Sequence, residues 1–186
     1  MMSSKEILAA QLSGSATVIE WAISQVPQAR LFEAPPHGHH PRSAHGFKTY
    51  FGQWSAGRLL FHLVHYEENY ALPTMRHWLG EPHPSGDLMI PDAEEEQAAW
   101  DRELEAGPEL SALLDRFLIV RGEQLEVLHK IPDGELTVEK VETEFGPVSA
   151  AFAVAKTVQH TLEHGNDILK NALYWDRALA WLDSRP

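Results

Sequence analysis

Cysteine is absent from this 186-residue chain. Without it there can be no disulfide framework, no thiolate metal ligand and no cysteine nucleophile. Basic residues are scarce beside acidic ones, 15 against 27, which gives a formal net charge of −12. A surface of that sign repels phosphate backbones, and the few Lys and Arg are scattered, so nucleic acid is not expected as a partner. Long apolar runs are missing as well. The longest, Leu59 to Tyr66, is broken by His62 and His65 and falls far short of the roughly 20 residues that cross a bilayer, so no membrane association is expected. The start, Met1-Met2-Ser3-Ser4-Lys5-Glu6, has neither the charged opening nor the apolar run of a signal peptide, and the chain reads as cytoplasmic.

The apolar share of 44% is ordinary for a globular protein, and the length suits one domain, residues 1–186, with a sizeable core. Helical periodicity dominates. Leu8, Leu12, Ile19, Ala22 and Val26 form a stripe over about Ser3 to Val26, with Ser3 or Ser4 as cap and Pro27 as stop. A long connection rich in Pro and Gly follows, carrying His37, His39, His40 and His45. These four are read as solvated loop residues. The second helix is placed from Ser55 to about Leu79, apolar on most sides and hence buried on most sides, with a kink or break at Pro73. The third region starts at an Asp92 cap, with Glu94, Glu95 and Glu96 favouring the positive end of the helix dipole. Gly107-Pro108 should bend it or split it in two. Glu135 to Phe145 alternates apolar and charged residues as a short ribbon would, closed by Gly146-Pro147. The last helix is placed over about Val148 to Trp175 with Ser149 as cap. The architecture expected is all-α, an antiparallel four-helix bundle with long connecting loops.

Three histidines carry the chemistry. His160 and His164 lie one helical turn apart, on one side of the last helix. A third imidazole from a facing helix, His62, completes a nitrogen set suited to a divalent transition metal with a coordination position left open. Plainer readings stand beside this one. A buried His62 is satisfied equally by a carbonyl or a tyrosine hydroxyl. On a helical wheel centred on Val154, Val158, Leu162, Leu169 and Ala172, His160 falls on the polar side and His164 at the border, as in an ordinary surface pair. His65 and Glu67 are placed to replace or support a ligand, and Asp167 to orient His164. His77, His83 and His129 read as surface residues.

Trp54-Ser55, then His62-Leu63 with Glu67 close behind, resembles the second-helix signature of the DinB-like (DinB/YfiT) metalloprotein superfamily. Glu144-Phe145-Gly146-Pro147-Val148-Ser149, leading into His160-Thr161-Leu162-Glu163-His164-Gly165-Asn166-Asp167, resembles its last-helix signature. The resemblance implies a four-helix bundle of the DinB/YfiT type. It implies that His62, His160 and His164 are ligands to nickel, zinc or iron, and that the chain forms a homodimer. It also implies a small-molecule substrate, because members with assigned activities include transferases and isomerases that use a low-molecular-weight thiol such as bacillithiol, mycothiol or glutathione. Family bundles often carry glutamine shortly after the last histidine, where this chain has Asn166.

The function expected is therefore a metal-dependent enzyme, a thiol S-transferase or related isomerase, with a metal-dependent hydrolase and a non-catalytic metal-binding or stress-response protein as alternatives. The loops Pro35 to Phe47 or Glu81 to Pro91 would roof its pocket.

Overall fold

Ser3 opens the first helix with a capping box: its hydroxyl accepts from the Glu6 amide at 3.2 Å, and the Glu6 carboxylate accepts from the Ser3 amide at 2.7 Å. A computed structural model of the protein describes residues 2–35, 52–82, 92–143 and 145–183. Helix α1 spans Ser4–Ser24 and α2 spans Ala56–Tyr66, capped as expected by the Ser55 hydroxyl on the Arg58 amide at 3.2 Å. All of α2 is buried, in keeping with its apolar circumference.

The expected break at Pro73 takes a different form. Beyond Tyr66 the helix widens into a π-helical turn, Glu67–Ala71, and then resumes as α3, Leu72–Arg76. Pro73 sits in the first turn of α3, where its missing N–H costs least. The irregularity lies upstream of the proline, where its ring would crowd a preceding carbonyl in a continuous α-helix.

Asp92 caps α4 (Ala93–Ala106), accepting from the amides of Glu94 at 2.9 Å and Glu95 at 2.8 Å. Gly107, at φ +80°, ends α4, and α5 runs separately over Leu110–Lys130, so the third region is two helices. Strands β1 (Glu139–Thr143) and β2 (Gly146–Ser149) pair antiparallel, with Val141 opposite Val148 and both buried. Gly146-Pro147 does not close the ribbon as expected. Gly146, at φ +84°, begins its second strand. Helix α6 runs over Ala150–Asp183 with Ser149 accepting from the Phe152 amide at 3.2 Å. It exceeds the expected end at Trp175, because neither Gly nor Pro occurs before Pro186 to stop it.

Among the described residues the molecule is mostly helical with one two-stranded sheet. Helix α1 packs on α5 and α6, and α2 packs on the same two helices. Two apolar clusters fill the interior. One gathers Leu12, Leu72, Met75, Val127 and Val154, and the other Ile19, Leu60, Leu63, Phe117 and Ile168. No described helix is long and apolar enough to cross a membrane.

Candidate metal centre

Helix α2 presents His62 from its middle, and α6 presents His160 and His164 one turn apart. The three Nε2 atoms meet: His62 to His160 at 2.9 Å and His164 to His160 at 3.1 Å. One ligand nitrogen from each ring falls within 4.8 Å of the others, an arrangement that can hold a metal ion. Two nitrogens bound about 2.0–2.1 Å from a tetrahedral ion stand about 3.4 Å apart, so a few tenths of an ångström of spreading would admit one.

The state of His62 supports that fit. Its Nδ1 lies 2.9 and 3.0 Å from the two oxygens of Glu96 on α4. A carboxylate only accepts, so Nδ1 carries the proton and Nε2 turns a lone pair toward His160. Glu96 is itself held by Arg58, with Nη1 2.6 Å from Oε1, both side chains being buried. The Arg58 guanidinium lies over Trp54 at 4.5 Å, and near Phe61 at 5.3 Å and Trp100 at 5.4 Å. Burial alone would raise the Glu96 carboxyl; the His62 hydrogen bond and the charge of Arg58 outweigh it and hold the group below its ordinary value.

Burial pushes His62 down, against the pull of Glu96. His160 is driven down to about 2, first by burial and then by the neighbouring His164 and His62. Neutral imidazoles are the form that ligates metals. Two aromatic rings flank the cluster. Tyr66 meets His160 edge-on at 4.5 Å, and Trp54 lies 4.9 Å from His62 and 6.4 Å from His164.

The other sequence candidates fare differently. Asp167 Oδ2 is 3.6 Å from His164 Nδ1, too long for a hydrogen bond, while Oδ1 accepts from Lys170 at 2.8 Å. His65 points elsewhere on α2, stacking on Phe61 at 5.8 Å and accepting from the Asn69 amide at 3.2 Å. Glu67 supports no histidine. It is wholly buried and bound to Arg121 of α5. A carboxylate with no exposure needs a full charge partner, and the nearby rings offer none. His129 is exposed and His77 half-buried. His37, His39, His40, His45 and His83 lie outside the described residues, as does most of each loop assigned to roof the site.

The wheel reading of α6 is also corrected. Leu162 is 45% exposed, whereas Thr157, Thr161, Gly165 and Ile168 are buried. The buried face contains polar residues, so an apolar-only wheel is rotated away from it, and His160 and His164 come out half-buried at its edge.

Glu96, grouped by sequence with Glu94 and Glu95 as a partner of the helix dipole, is instead the carboxylate that holds His62. A signal was present. Glu96 stands four residues before Trp100, so it shares the face that α4 buries.

A search of the curated proteins finds no match. The family model of the DinB superfamily matches residues 11–168. That span takes in all three histidines, the whole of α2 and α4, and α6 as far as Ile168, and the chain belongs to the DinB superfamily.

Proposed function

We propose that the protein binds one divalent transition metal through Nε2 of His62, His160 and His164, and that it transfers a low-molecular-weight thiol to an electrophile. The observation that carries the metal reading is the meeting of the three Nε2 atoms with the His62 lone pair oriented by Glu96. Three imidazoles suit zinc, nickel or iron. When bound, the ion would lower the pKa of a thiol or water at its open position, supplying a nucleophile near neutral pH.

The chain's own side chains prepare that position. Glu96 keeps Nδ1 of His62 protonated, and Arg58 keeps Glu96 ionised. Trp54 and Tyr66 wall the cluster with apolar surface. Because the chain has no cysteine, a sulfur nucleophile must come from a small molecule. Its sulfur would form the new carbon–sulfur bond while chloride leaves or an epoxide carbon–oxygen bond opens. We read α1, α2, α5 and α6 as the antiparallel bundle of the family, in a single domain that pairs as a homodimer in the cytoplasm.

The test begins with elemental analysis of protein purified without an affinity tag. One bound ion per chain, lost in His62→Ala, is the expected result, and protein without stoichiometric metal overturns the reading. The loaded protein is then given a panel of low-molecular-weight thiols with a chlorinated arene or an epoxide. Consumption of both reactants is expected. Inactivity across that panel, with turnover in a hydrolysis screen, replaces the transferase by a hydrolase.

A further inference from the structure

Between the two apolar clusters lies a buried polar layer contributed by α1, the π-helical turn, α5 and α6. Ser15 of α1, Glu67 of the π-helical turn, Arg121 and Gln124 of α5, and Thr161 of α6 are all 3% exposed or less. Arg121 is its hub. It donates through Nε to Glu67 at 3.0 Å and through Nη2 to the other Glu67 oxygen. Nη1 donates to the Leu12 carbonyl at 2.8 Å and to the Ser15 hydroxyl at 2.7 Å. Nη2 also reaches the Thr161 hydroxyl at 2.8 Å. Gln124 donates to Glu67 at 2.8 Å from the side.

Thr161 stands next to His160 and three residues before His164. Its hydroxyl gives its proton to the Thr157 carbonyl at 2.7 Å, so it meets Arg121 as an acceptor. Glu67 follows His62 on the same continuous helix and its π-helical extension. The layer therefore fastens the helix bearing His62 to the helix bearing the other two rings. Apolar contacts around it are non-directional and resist rotation of α6 only weakly. A charged donor aimed at one hydroxyl has a direction.

We propose that Arg121, acting through Thr161, is a positioning residue for the metal site: it fixes the rotation of α6 that brings Nε2 of His160 and His164 to meet His62. The inference rests on the metal reading given above. Removing the Thr161 hydroxyl frees α6 at the point where the rings must be placed, without touching a histidine.

The experiment uses the full chain, stripped of metal, titrated with Co(II) and followed by its d–d absorption. Thr161→Val is expected to weaken binding about 10–100-fold, the range for groups that orient metal ligands, and to change the absorption envelope. Thr161→Ser restores both. Thr157→Val is the control. It deletes an equally buried hydroxyl, bonded to the Ala153 carbonyl at 3.0 Å and bearing no bond to Arg121, and is expected to bind as the parent does. Thr161→Ala takes the place of the valine variant if that one fails to fold. Parent-like binding in Thr161→Val, equal loss in Thr157→Val, or failure of the serine to rescue overturns the proposal while leaving the metal reading intact. A parent protein that binds no Co(II) overturns the metal reading, and the proposal with it.

Discussion

Replacing Glu96 by glutamine keeps the volume of the side chain and removes its charge. Two consequences follow from the structure. First, Arg58 loses its anionic partner while remaining between Trp54, Phe61 and Trp100. Breaking a buried pair from one side costs about 3–5 kcal/mol. The aromatic cage and the glutamine carbonyl, which still accepts, offset part of this, so a loss of about 1–3 kcal/mol is expected. Second, His62 loses the reason for its tautomer. A carboxylate accepts on both oxygens, so Nδ1 must donate to it. A glutamine can turn its NH2 toward Nδ1, which then accepts, and the proton moves to Nε2, facing His160.

That proton would block the lone pair that the proposed metal requires. Loss of a group orienting a ligand weakens metal affinity about 10–100-fold, or about 1.4–2.7 kcal/mol. The assay is competition for Zn(II) against a chromophoric chelator, with urea unfolding of the metal-free protein in parallel. Glu95→Gln, one residue away and exposed, is the control. An affinity for Glu96→Gln within about twofold of the parent would refute the reasoning, because the tautomer would then be set by something other than Glu96.

Further outcomes are expected from the same structure. The stability of the metal-free protein should fall as pH drops below the ordinary histidine value of 6.5, because burial holds His62 and His160 below it and the unfolded chain takes up their protons first. The slope reaches about 1.4 kcal/mol per pH unit for His160, and urea midpoints that stay level between pH 7 and 5 would contradict it. Arg121→Met alone should cost about 3–5 kcal/mol by stranding Glu67, while Arg121→Met with Glu67→Met should recover most of that, as thermal unfolding will show. Asn171, 2% exposed, has an amide with no hydrogen-bond partner among the described residues at either atom. Asn171→Leu should therefore raise stability by about 1–3 kcal/mol, read from the urea midpoint.

The meeting of His62, His160 and His164 was legible because ligand chemistry constrains both residue type and spacing. Spacing alone left an ordinary surface pair and a hydrogen-bonded core histidine as equal readings, and the resemblance of the flanking motifs singled out these three. The supporting groups were not legible, for a physical reason. Glu96 has the same side chain as Glu94 and Glu95, and only the face that α4 buries distinguishes them. Glu67 was visible as an acidic residue behind His62, but its partner Arg121 lies 54 residues away, beyond any local periodicity. The π-helical turn left no mark except Pro73, which reports that the helix must change and not where.

Buried polar residues explain why apolar patterning misplaced α6. Thr161 of the polar layer, and Thr157 and Asn171 outside it, occupy buried positions that an apolar-only wheel does not count as core. A core built for stability alone would fill them with aliphatic residues, since a buried ion pair is often no better than good apolar packing. Directional bonds accept that cost and restrict how the helices rotate against one another. A site of three nitrogens drawn from two helices needs such a restriction, because a small rotation of α6 would carry two of the three away together. The placement of Thr161 between His160 and His164 puts the directional contact where that error would be largest.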